Sequence, residues 1–153
     1  ANMELCDIDP ELNLYNRNWP IWTYQTQHPP AKFIFDDEGR RGEAIDSLVS
    51  AGCILSGARV KRSVIFFLTR IENYSHVKDS VILPKVHIGK NCRITKTVID
   101  KGCAIPDNMV IGEDIEEDKK RFHVTAEGIV LVTPKMLGQH VYTLEGEEEI
   151  WEL

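Results

Sequence analysis

A period of 17 residues runs through the middle of this chain and constrains its fold more than any other feature. Ile54, Ile71, Ile88 and Ile105 recur at that spacing, as do Val60, Val77, Ile94 and Ile111. Further columns hold Val64, Val81 and Val98; Ile65, Ile82 and Ile99; the hydroxyls Ser63, Ser80 and Thr97; and Ala58, Ser75, Cys92 and Met109. Within one unit the apolar landmarks step from Ile54 to Val60, Phe66 and Ile71, which divides a lap into three sides. β-Branched residues suit each side to a short strand. Ser56-Gly57, Lys90-Asn91 and Pro106-Asp107-Asn108 supply turn chemistry between sides. Laps stacked at the inter-strand spacing of about 4.8 Å bring like residues over like. One lap buries little, whereas several make a continuous core. The reading is a mainly β protein, a three-sided parallel β-helix over residues 48–112, with Ile54, Ile71, Ile88 and Ile105 in one inward stack.

Two columns compete. Val64 and Ile65 are adjacent, as are Val81 and Ile82, and Val98 and Ile99. Neighbouring strand residues point to opposite faces. If the valines point inward, Ile65, Ile82 and Ile99 form an outer apolar stripe, which marks an interface that something covers. The alternative is a local bulge that turns both columns inward.

The flanks do not repeat. Residues 1–47 read as a linker arm, in which Trp19 and Trp22 either form a ligand platform or, the reading preferred, anchor the arm by burial against the coil or against an absent domain. A strand is expected over 31–35 and a charged turn over 36–43. Residues 113–153 read as a capping segment, entered through a charged loop at 112–118, with two strands at 122–125 and 129–133 and an acidic tail. The apolar strand of that pair would close the last edge of the coil.

Charge follows the same division. The net charge of −6 resolves into −5 over residues 1–47, +6 over 48–112 and −7 over 113–153. A basic middle can attract an anionic ligand. The four cysteines, Cys6, Cys53, Cys92 and Cys103, show neither C-x-x-C nor zinc-finger spacing and read as reduced thiols. No apolar run approaches the roughly 18 residues of a membrane span, and no signal peptide is visible. A cytoplasmic location is expected, with neither nucleic acid nor membrane as partner.

Specific segments carry a family resemblance. Tyr15-Asn16-Arg17-Asn18-Trp19-Pro20-Ile21 and Pro29-Pro30-Ala31-Lys32-Phe33 precede the repeats. Ser80-Val81-Ile82-Leu83-Pro84 and Val98-Ile99-Asp100 lie within them, and Glu127-Gly128-Ile129-Val130-Leu131-Val132-Thr133 follows. Together they resemble the C-terminal β-helix region of the bacterial ADP-glucose pyrophosphorylases (glucose-1-phosphate adenylyltransferases), from the first residue to about Leu137. The resemblance implies a left-handed, hexapeptide-repeat coil. It also implies a parent that makes ADP-glucose and pyrophosphate from ATP and glucose 1-phosphate for glycogen synthesis.

In such a parent the chemistry belongs to an upstream nucleotidyltransferase domain, with its ATP site and its magnesium; no cofactor is expected in the present chain. The β-helix then supports a homotetramer and part of an allosteric site for a small anionic metabolite. Family members place Arg after V-I-D and another basic residue after V-T. Here the first position is Lys101, and Pro134 takes the second with Lys135 beside it. Lys keeps the charge but loses the bidentate fork. The rival from a different class is a hexapeptide-repeat acyltransferase, which needs a general-base histidine; His76, His87, His123 and His140 are the candidates. A trimeric, carbonic-anhydrase-like zinc protein is a third reading.

Overall fold

The computed structural model describes residues 2–8, 10–19 and 26–140. A left-handed, three-sided parallel β-helix fills residues 32–132. The first lap runs through β1 (Lys32–Ile34), a small hairpin of β2 (Asp36–Asp37) and β3 (Arg40–Arg41), then β4 (Glu43–Ile45) and β5 (Leu48–Val49). The second holds β6 (Ile54–Ser56), β7 (Arg59–Lys61) and β8 (Val64–Ile65). The third holds β9 (Arg70–Ile71), β10 (His76–Lys78) and β11 (Val81–Ile82). The fourth holds β12 (His87–Ile88), β13 (Arg93–Thr95) and β14 (Thr97–Ile99). The last begins with β15 (Ala104–Ile105) and β16 (Val110–Ile111), detours through helix α1 (Ile115–Arg121) and β17 (His123–Val124), and finishes with β18 (Val130–Val132).

Three parallel stacks result: β1-β6-β9-β12-β15, then β4-β7-β10-β13-β16, then β5-β8-β11-β14-β18. The coil therefore extends beyond residues 48–112 at both ends. The hairpin in the first lap and the helix in the last interrupt the period without interrupting the ladders.

The inward stacks differ from the expectation in two places. Leu55, not Ile54, lies in register with Ile71, and Leu55 is fully buried. Ile71 and Tyr74 are separated by Glu72 and Asn73, whereas Leu55 and Gly57 are separated by Ser56 alone. The second lap is thus one residue short at its first corner, and a slip of one residue exchanges the faces of a strand. Ile71, Ile88 and Ile105 do form one inward stack above and below each other.

The second correction concerns the paired columns. Ile65, Ile82 and Ile99 have no exposed surface and belong to the hydrophobic core, so they are not an outer interface stripe. The valines take the outer positions. Val64 and Val81 are nevertheless only 5% and 8% exposed, and the short 3-10 helix Asn2–Cys6 packs beside β8. An outward apolar stripe exists, but its residues are the neighbours of those expected.

The corners repeat as strictly as the sides. Left-handed residues stand in columns: Gly57, Tyr74, Asn91 and Asn108 at the first corner, Asp46, Arg62, Asp79 and Lys96 at the second, and Gly52, Leu68, Lys85 and Gly102 at the third. The hydroxyl column satisfies the buried backbone beside the second corner. The Ser80 N–H donates to Ser63 Oγ at 3.2 Å and the Thr97 N–H to Ser80 Oγ at 3.1 Å. Each hydroxyl in turn donates to the carbonyl two residues before it, on Lys61, Lys78 and Thr95. Buried polar groups need such partners.

All three sides of the lower end are closed. On the first side the Gln139 amide behaves as a strand one residue long: Nε2 donates to the Ala104 carbonyl at 2.6 Å, and the Ala104 N–H donates to Oε1 at 2.9 Å. On the second, Arg121 donates to the Val110 carbonyl at 3.0 Å, and the Gly112 N–H donates to the buried Asp118 carboxylate at 2.7 Å. On the third, β17 pairs antiparallel with β18. Helix α1 takes over most of the loop expected at 112–118. Asp114 caps it by accepting from the Glu116 and Glu117 N–H groups, with acidic residues in the first turn and basic ones in the last. Trp19 is 83% exposed and does not anchor the arm against the coil, while Trp22 and residues 141–153 lie outside the described residues.

Candidate functional site

The third corner builds the most distinctive cleft. Phe67, Pro84 and Lys101 occupy equivalent positions on successive laps, and Leu68 and Lys85 occupy the next position of two of them. The corner is tied lap to lap: the Lys85 N–H donates to the Phe67 carbonyl at 3.1 Å, and the Gly102 N–H to the Pro84 carbonyl at 3.0 Å. The arm completes the wall. The Gly52 N–H donates to the Pro29 carbonyl at 2.6 Å, and the Lys32 N–H to the Cys53 carbonyl at 2.8 Å. His28 is thereby held against Phe67, the rings 5.2 Å apart and 18° from parallel. The cleft holds about 570 Å³ and is lined by Thr26, His28, Phe67, Leu68, Pro84, Lys85 and Lys101. An apolar floor with nitrogen-bearing groups around it suits an anion carrying an apolar portion.

Lys101, one expected anion-binding residue, therefore faces a cleft. Its own N–H donates to the Asp100 carboxylate at 2.8 Å, so that acid is turned back onto the backbone. Lys135 lies in the 3-10 helix Pro134–Leu137, exposed, and does not line this cleft. His28, Phe67 and Lys85 were not singled out from the sequence. The signal available was the corner spacing of Phe67, Pro84 and Lys101, which lies outside the apolar columns.

The histidines proposed for acyl transfer are scattered. His76 is exposed on β10 beside a cleft of about 330 Å³ that Glu43, Arg59 and Tyr74 also line. His87 sits 3.6 Å from Glu72 and borders a cleft of about 660 Å³ at the lower end of the coil. His123 and His140 are exposed and line neither. Among the described residues no group of three or more His, Cys, Asp and Glu could hold a metal ion. The cysteines are free thiols; Cys53, Cys92 and Cys103 are buried. Desolvation pushes all four thiols up, Cys103 to about 12, so none is an activated nucleophile. Among the described residues no helix is long and apolar enough to cross a membrane.

Known proteins bear on this geometry. The profile of the GlmU-like, C-terminal hexapeptide family matches residues 29–132, close to the span of the coil itself. Glucose-1-phosphate adenylyltransferase of Thiobacillus denitrificans is 74% identical over 93% of this chain and 32% of its own length. The enzymes of that name from Methylococcus capsulatus and Hydrogenovibrio crunogenus are 63% and 65% identical, each over 93% of this chain and 34% of theirs. The chain spans about a third of the length of these curated relatives.

Proposed function

Since the chain belongs to the GlmU-like, C-terminal hexapeptide family, we propose that it is the regulatory and assembly region of a glucose-1-phosphate adenylyltransferase. The observation that carries this reading is the 74% identity across nearly the whole chain to a third of an enzyme of that name. The reaction, ATP and glucose 1-phosphate going to ADP-glucose and pyrophosphate, belongs in this reading to the remainder of a longer protein. Any magnesium would be held there too. The coil contributes a rigid surface for a homotetramer and one wall of an allosteric site, with Lys101 as its anion-binding residue and Lys135 as a second, more distant candidate.

The physical support for Lys101 is local. A phosphate or carboxylate leaving water needs charged donors, and Lys101 and Lys85 line one cleft. The other wall would come from the nucleotidyltransferase domain, so the isolated chain should turn over neither substrate. The test uses the full-length enzyme with Lys101→Ala. Half-maximal activation by a phosphorylated or keto-acid effector should require about tenfold more effector, equivalent to one charge-assisted contact of about 1.4 kcal/mol. Turnover without effector should change little. An activation curve unchanged from wild type removes Lys101 from the site.

A further inference from the structure

We propose that His28 is a ligand-binding residue of the third-corner cleft, and that beside Lys101 it makes the cleft select a small dianionic ester, held more tightly when the imidazole is protonated. This rests on the reading that Lys101 faces an anion. The arm places His28 there by construction. Proline fixes its own φ, and Pro29-Pro30 follows His28 directly. The Gly52 N–H to Pro29 bond then pins the segment to the coil. Gly52 has φ +74°, and a side chain there would come within 2.7 Å of Leu68 Cδ2 and 3.4 Å of His28 Cβ. A glycine at this corner leaves the imidazole its place beside the cleft.

The cleft has a long axis. Phe67 and Lys101 are two laps apart, roughly 10 Å between backbones at the spacing of stacked strands. A bare phosphate group is shorter than that. An ester can set its body on Phe67, Leu68 and Pro84 while its anionic group meets the nitrogen-bearing groups around them. Among the residues lining the cleft the charged ones besides His28 are Lys85 and Lys101. The neighbours of His28 on the arm, Thr26, Gln27, Pro29 and Pro30, are uncharged, as are Gly52, Phe67 and Leu68 across from it; Lys32 lies further on in β1. Asp100, the nearest acid in sequence to Lys101, is bonded to the backbone. Histidine is the side chain whose ordinary range places its charge change near neutrality. Protonation therefore adds positive charge beside Lys101, and a dianion gains about twice what a monoanion gains from it.

Sulfate is the probe, because its charge stays constant across the range tested. The 153-residue chain is titrated at low ionic strength near pH 6 and near pH 8, following imidazole ¹H–¹³C resonances, with His28 assigned from His28→Gln. The expected result is a saturable shift of the His28 signal, with affinity roughly threefold to tenfold higher at the lower pH. Calorimetry on His28→Gln should then find weaker sulfate binding without that pH dependence. Equal affinity at both pH values, with Lys101→Ala still weakening binding, overturns the role of His28 and leaves the anion site standing. Sulfate affinity indifferent to Lys101→Ala overturns the anion site beneath it.

Discussion

Leu55→Ala should destabilise the coil far more than Ile54→Ala, although the two residues are adjacent and of equal size. Leu55 has no exposed surface, lies in register with Phe33 above and Ile71 below, and belongs to the core cluster. Truncating a fully buried leucine costs about 3 kcal/mol from lost transfer energy and the cavity left behind. Ile54 pairs with Lys32 and Arg70 on the outer face and is only partly buried. Its truncation forfeits part of its apolar contact, about 1 kcal/mol. For a chain of this size each kcal/mol moves the midpoint by roughly 2–4 °C. Leu55→Ala should melt about 6–12 °C lower than wild type, and Ile54→Ala about 2–4 °C lower. Far-ultraviolet circular dichroism through a reversible thermal transition, backed by urea midpoints, measures both. If Ile54→Ala costs as much as Leu55→Ala, the one-residue slip at the first corner of the second lap is wrong.

Two further outcomes follow from buried polar groups. Asp118→Ala should lower stability by about 3 kcal/mol, because it strips the Gly112 N–H and Arg121 of a shared, buried acceptor; a urea midpoint unchanged from wild type would sink this account of the lower end. Native thiol titration at pH 8 should show Cys6 reacting first and Cys53, Cys92 and Cys103 reacting only on unfolding; prompt labelling of all four would contradict their burial. Linkage runs the same way: burial raises the folded Cys103 from 9.0 to about 12, so its contribution is whole below pH 9 and declines as pH rises toward 12, which an alkaline melting series tests against Cys103→Ala.

The period was legible because it is written in side chains that the core requires. Val60, Val77, Ile94 and Ile111 stand inward as their spacing implied, each almost wholly buried. What failed was the choice of face where both neighbours are apolar. Nothing in Val81-Ile82 says which points inward, since an outer valine is tolerated only where the shape of the folded molecule shields it. The first and last laps were illegible for another reason. The hairpin of β2 and β3 and the detour through α1 break the count, although Lys32 and Val132 still sit in their ladders. Helix α1 is illegible in the sequence because it has no apolar stripe, only a cap and a charge gradient. At the cleft, Lys101 was readable through its motif. Its companions were not, because His28 reaches the coil across an arm whose path no periodicity records.

Gln139 has a consequence for how many laps such a protein can have. Each lap ends in the same kind of edge from which it began, so a coil has no natural length. It is like a sentence that grammar alone will not end. Duplicating an interior unit would lengthen the rod by one step and offer the same edge again. Growth halts on this row because one amide turns a donor and an acceptor onto Ala104, occupying the backbone groups that the next strand would pair with. Interior repeats are therefore interchangeable in number, whereas the terminal punctuation is not. Without it, the end of one molecule becomes a template on which the next can write.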